Sequence, residues 1–120
     1  MKNTLYLALI ALLSYSSLAS ATGALAINGK QGSSYGFSYN QSSSTNAENR
    51  ALQECGKGCY VVKTFSGTCA AYAADQTFGS TAYAVGTSSD SGKAQERALK
   101  YCQKRGGTSC IVRVWACDKN

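Results

Sequence analysis

Two stretches decide the fold: Ala47-Glu48-Asn49-Arg50-Ala51-Leu52-Gln53-Glu54-Cys55 and Ala94-Gln95-Glu96-Arg97-Ala98-Leu99-Lys100-Tyr101-Cys102. Ala, Arg, Ala, Leu and Cys recur at the same offsets, so the chain carries a tandem duplication. In each copy Ala, Ala, Leu and Cys fall at i, i+4, i+5 and i+8, one side of an amphipathic helix whose apolar stripe ends in a cysteine. Around the first helix the order reads strand (Ala24 to Ile27), strand (Tyr35 to Tyr39), helix (46 to 55), strand (Tyr60 to Phe65). Around the second it reads Ala71 to Ala73, Thr81 to Val85, a helix from Gly92 to Arg105, and Ile111 to Ala116. Thr45 with Glu48 has the spacing of a capping box. Gly56, Gly58 and Gly106-Gly107 are the expected helix stops.

A lone unit of this size can bury neither its helix stripe nor its sheet face. Two units sharing a core solve that problem. The expectation is an α+β fold in which two tandem strand-strand-helix-strand repeats, about 23–69 and 70–117, build one mostly antiparallel sheet with both helices on one face. Tyr35, Phe37 and Tyr39 share a strand face and are expected to be covered by those helices.

Composition bounds the rest. The chain has 120 residues, six cysteines, no histidine, no proline and a formal net charge of +6, which suits one small basic domain. Residues 1–21 read as a signal peptide, with Lys2 as the positive start, Leu5 to Leu13 as the apolar run and Ala19-Ser20-Ala21 as the small-residue cleavage pattern. The run is too short to span a bilayer, which takes about 20 residues. The domain proper is then 22–120, exported to the periplasm or outside the cell, where an even cysteine count reads as a disulfide framework. Six cysteines allow 15 pairings. In both halves a helix-terminal cysteine is followed, across a glycine-containing turn, by a cysteine that opens an apolar β-rich run, which favours Cys55 with Cys59 and Cys102 with Cys110 and leaves Cys69 with Cys117 to tie half to half. A zinc site is the rival, but histidine is absent and no paired CxxC knuckles occur.

The tandem Ala-x-x-x-Ala-Leu-x-x-Cys helices, the strands Cys59-Tyr-Val-Val and Cys110-Ile-Val-Arg-Val-Trp, and the closing Cys117 resemble the bacterial exported family called domain of unknown function 4189. The resemblance covers nearly all of residues 22–120. It implies a disulfide-bonded, exported two-repeat domain and carries no activity to transfer.

No cofactor and no metal are expected. Without histidine there is no Ser/His or Cys/His dyad, and with all cysteines paired there is no free thiolate. Glu48, Glu54, Asp75, Asp90, Glu96 and Asp118 are the whole inventory for a carboxylate-dependent hydrolase. The glycine-rich pieces lack both phosphate-cradling patterns. The favoured expectation is a non-enzymatic module binding a protein partner in the envelope or outside the cell, with an inhibitor or immunity protein as a specific form. The alternative is a polyanion binder for anionic lipid, cell-wall polymer or nucleic acid. The candidate partner-binding residues are Lys93, Arg97, Lys100, Lys104 and Arg105 on the second helix, with Arg113 and Trp115 on one side of the last strand. Oligomeric state is not legible.

If residues 1–21 are a cleaved signal, protein recovered outside the cytoplasm begins at Thr22. Intact-mass measurement checks this, and retention of Met1 would contradict it.

Overall fold

The computed structural model describes residues 21–118; all but the last residue of the signal peptide expected over 1–21, and the last two residues of the chain, lie outside the described residues. The element order is β1 (Thr22–Ile27), β2 (Tyr35–Gln41), α1 (Ser44–Cys55), β3 (Tyr60–Ser66), β4 (Thr68–Asp75), β5 (Tyr83–Ser88), α2 (Ser91–Lys104) and β6 (Cys110–Asp118). The α+β class and the repeated strand-strand-helix-strand order hold. The sheet arrangement differs from expectation: each half forms its own antiparallel three-stranded sheet, ordered β2-β1-β3 and β5-β4-β6.

The central strands explain why. Along β1, Ala24 and Ala26 pack with Ala47, Ala51 and Cys55 of α1. The intervening Leu25 and Ile27 join Phe37, Phe65, Ala70, Tyr72, Ala74 and Ala116 in a core that contains residues of both sheets. Along β4, Ala71 and Ala73 pack with Ala94, Ala98 and Cys102 of α2, while Ala70, Tyr72 and Ala74 face the other sheet. The two sheets therefore lie face to face with one helix outside each, giving four layers in the order α1, first sheet, second sheet, α2. A single sheet with both helices on one face would leave Leu25, Ile27 and Tyr72 in water. Their full burial stabilises the fold by about 1.5–3 kcal/mol for a side chain of this size. The same layering corrects the reading of β2: Tyr35 and Phe37 are covered by the second sheet rather than by helices. Two residues, Tyr39 and Asn40, stand opposite Gly23 in a bulge, which leaves Tyr39 half exposed.

Each helix seats on small side chains. A Cβ at Gly36 would collide with the Ala51 carbonyl oxygen, and one at Gly86 with that of Ala94. Next to Gly36 the Ser38 hydroxyl donates to the Ala47 carbonyl at 2.6 Å. Register makes Ser38 and Gly86 counterparts, since they stand opposite Ala24 and Ala71 respectively. The alanine, glycine and serine content that carries little signal in sequence is thus what brings helix and sheet together.

Both helices begin one or two residues earlier than expected. The cap of α1 is Ser43, whose hydroxyl accepts from the Asn46 N–H at 3.1 Å, so Thr45 and Glu48 form no capping box. Asp90 caps α2 through the Lys93 N–H at 3.0 Å. Ser and Asp are both strong caps, and sequence spacing alone did not separate Ser43 from its serine-rich neighbours.

Disulfides join Cys55 to Cys59, Cys102 to Cys110 and Cys69 to Cys117, the pairing expected from the order of helix, glycine turn and strand in each half. The last bridge does not tie half to half. Cys69 opens β4 and stands opposite Cys117 on β6 within the second sheet, so the second unit begins before residue 70. The matching positions in the first sheet are the pair Thr22 and Ser66. Every bridge lies within one half, and the halves are joined by Gly67 alone, at φ 66° between β3 and β4.

Replacing Gly86 with Ala forces α2 off its sheet. The expected cost is about 1–3 kcal/mol, read as a lower urea midpoint with an unchanged slope. Unaltered stability would mean the helix is not seated as described.

Candidate functional site

The residues singled out in the sequence separate into three groups. Arg97 and Arg105 belong to the fold: Arg97 Nη1 donates to the Thr87 carbonyl at 2.7 Å, and Arg105 Nη1 donates to the Tyr83 carbonyl at 3.0 Å. The Arg105 guanidinium also lies 5.9 Å from the centre of the Tyr83 ring. Together they occupy backbone acceptors of the edge strand β5, which would otherwise be open to pairing with another chain. Lys93, Lys100 and Lys104 form the second group, exposed on α2 with their charges in water.

Arg113 and Trp115 form the third group, and they do not share a face. Val114 pairs with Tyr72 and Val112 with Ala73, so Arg113 is the extra residue of a β-bulge. The bulge resets the alternation. Val112 consequently packs towards α2, while Val114 and Ala116 pack between the sheets. Arg113 turns in beside Tyr35, 5.7 Å from the ring centre, and Nη1 reaches Gln76 Oε1 at 3.4 Å. Tyr35 Oη in turn donates to the Arg113 carbonyl at 3.3 Å. Trp115 is left half exposed, and Ile111 on the same strand is exposed to a similar degree.

β6 is the end strand of its sheet, and covalent bonds hold it near both ends: Cys110 to α2 and Cys117 to β4. Sequence reading also passed over Phe78, which is almost fully exposed at the tip of the β4–β5 loop. A large apolar residue beside Gly79 inside a turn is the signal that could have found it. That loop is bound to the β1–β2 loop by Gln31 and Gln76. The Gln31 side chain donates to the Thr77 carbonyl at 3.0 Å, and the Gln76 side chain donates to the Gln31 carbonyl at 3.0 Å.

The carboxylates are dispersed. Glu54 meets Arg50 at 3.3 Å and accepts from the Phe37 N–H. Asp90 caps α2, and Asp118 accepts from the Asn40 N–H at 2.8 Å. Glu48 on α1 and Glu96 on α2 sit on opposite outer layers, so these two helix glutamates do not converge. Asp75 is buried, and its Oδ1 accepts from Thr77 N–H, the Thr77 hydroxyl and Ser109 N–H at 2.9–3.1 Å. The Ser80 hydroxyl, with these donors, holds the Asp75 carboxyl well below the usual carboxylate range against the opposing effect of burial. Asn28 makes the same turn in the first half, accepting from Lys30 N–H at 3.0 Å. Burial pushes the Tyr72 hydroxyl up to about 12, with Arg113 opposing. Among the described residues no group of three or more His, Cys, Asp or Glu is placed to hold a metal, and no helix is long and apolar enough to cross a membrane.

The repeated helices, the paired sheets and the cysteine framework extend from β1 to Cys117. Residues 22–117 match the family described as Domain of unknown function (DUF4189). The chain belongs to this family. No curated protein and no solved structure matches it. Three disulfides place this DUF4189 domain in an oxidising compartment, because reducing compartments keep such thiols unpaired.

Asp75 gives the domain an acid-sensitive joint. A carboxyl whose pKa is lowered on folding contributes stability above its unfolded value of about 3.9, and that contribution is lost as pH falls towards its folded value. Thermal unfolding between pH 7 and pH 2 is therefore expected to show a steeper loss below about pH 4 for the native chain than for Asp75→Asn. The variant is expected to be less stable at pH 7. Parallel curves would contradict the assignment.

Proposed function

We propose that this domain is an exported, non-enzymatic interaction module that binds a protein partner in the cell envelope or outside the cell. The observation that supports this reading most is β6: an end strand, fixed by disulfides near both ends, that exposes Trp115 and Ile111. A rigid strand loses little freedom on binding, and tryptophan is among the residues that most often dominate binding energy at protein interfaces. An inhibitor or immunity protein is one form such a module takes.

A second reading has its own observation. Lys93, Lys100 and Lys104 are exposed on the outer layer, as a binder of anionic lipid, cell-wall polymer or nucleic acid would need. The two readings differ in salt dependence, since contacts made mainly by exposed charges weaken as salt rises.

Capture from envelope extracts on the oxidised domain separates them. The protein-partner reading expects one identifiable protein retained at high salt, with Trp115→Ala weakening it by at least about 2 kcal/mol. Binding that survives Trp115→Ala but disappears with high salt or with Lys93, Lys100 and Lys104 all changed to Gln would instead support the polyanion reading.

A further inference from the structure

The duplication allows one half to be read against the other, and the two seams between the sheets then prove unlike. Both halves carry a bulge at the same place: Val62 is the extra residue opposite Leu25 and Ala26, as Arg113 is opposite Tyr72 and Ala73. Tyr35 and Tyr83 are counterparts as well, standing opposite Ile27 and Ala74. In one seam Arg113 lies over Tyr35 and fills the space between β2 and β6. In the other, Val62 stands at the bulge position that Arg113 holds, and the arginine over Tyr83 is Arg105, reaching in from the end of α2. A hollow of about 230 Å³ remains, lined by Val62, Lys63, Tyr83, Val85, Thr87 and Arg105.

Its chemistry is one-sided. Lys63 and Arg105 both line the hollow, and no carboxylate does. Arg97, held on Thr87 O, adds a third cation beside it. Lys63 has no ion-pair partner among the described residues, because the single salt bridge found there joins Arg50 to Glu54. The surface that the hollow presents is mostly polar, with Val62, Val85 and Tyr83 completing its lining. The space suits a single side chain better than a phosphate polymer. β3 is also the end strand of its sheet, so an extended segment can lie along it.

We infer that this hollow is a binding site for an acidic side chain, Asp or Glu, carried on an extended segment of a protein partner. Lys63 and the Arg105 guanidinium are the cations that receive its carboxylate. The site goes beyond the β6 reading and is independent of it, since neither Trp115 nor Ile111 lines the hollow.

The test titrates the oxidised domain with a blocked hexapeptide of alternating valine and glutamate, followed by amide chemical shifts. Its glutamine analogue, inorganic phosphate and vesicles containing phosphatidylglycerol serve as comparisons. The expected result is saturable binding of the glutamate peptide with shifts at Val62, Lys63 and Tyr83, weakened about threefold or more by Lys63→Gln. Val62→Arg is the sharper variant. It adds positive charge but fills the hollow as Arg113 fills its counterpart, so binding is expected to fall at least about tenfold. If Val62→Arg binds as well as or better than the native chain, the attraction is diffuse charge and the site is refuted. Equal binding of the glutamine peptide would also refute it, as would phosphate or vesicles showing the same dependence on both variants. Should Val62→Arg fail to fold, Lys63→Gln decides alone, because that side chain is exposed. Trp115→Ala is expected to leave peptide binding unchanged, which keeps this result separate from the β6 reading.

Discussion

The structure depends on how closely each helix approaches its sheet. With carbonyl oxygens of α1 and α2 where Cβ atoms at Gly36 and Gly86 would stand, no side chain fits at those two positions, and the sheet positions around them are held by Ala and Ser. That constraint decides which face of each sheet holds the small residues. Leu25, Ile27, Phe37, Phe65 and Tyr72 are thereby directed to the opposite faces. Here a second sheet presenting the same kind of face covers them. Duplication supplies that second sheet, and the four-layer arrangement is the result. The disulfides supplement the core between the sheets. In the chain-entropy account, the bridge from Cys69 to Cys117, 48 residues apart, is worth about 4 kcal/mol. The local bridges are worth less, about 2 kcal/mol for Cys55 to Cys59 and about 2.5 kcal/mol for Cys102 to Cys110.

Much of this was legible in the sequence. The helix pattern gave two units in the right order, and glycines marked the ends: Gly56, Gly58 and Gly106 all adopt positive φ. The cysteine pairing followed from the repeated order of helix-ending cysteine, glycine turn and strand-opening cysteine, although the two turns differ in length. The layering did not follow, because hydrophobic alternation separates buried from exposed positions but does not register a strand buried on both faces. In Ala24-Leu25-Ala26-Ile27 the informative contrast was small against large, not apolar against polar. Bulges were equally silent. One extra residue at Arg113 moved that side chain to the inner face and separated it from Trp115, and no local propensity announces such a shift.

The candidate surface shows the same limit. On a helical wheel Arg97 belongs with Lys93, Lys100 and Lys104, yet it reaches across to the Thr87 carbonyl. Contacts between a helix and an edge strand depend on tertiary position, so charge spacing could locate the stripe without revealing that two of its arginines serve the sheet. Lysine, with a compact ammonium group, remained in water. The planar guanidinium was the group recruited to backbone oxygens, in keeping with its fixed array of donors.

The single-residue link at Gly67 has a topological consequence. Each half carries its own sheet, helix and disulfides, and the chain passes from one layer to the other at this one residue. No covalent bond besides the main chain obliges a given first half to pack with its own second half. Were the link to straighten, two molecules could exchange halves, each rebuilding the core between sheets with its neighbour's strands and keeping all its bridges intact. The positive φ at Gly67 favours the sharp reversal, so one glycine helps keep the folding of this domain an affair within one chain and opposes domain-swapped dimers.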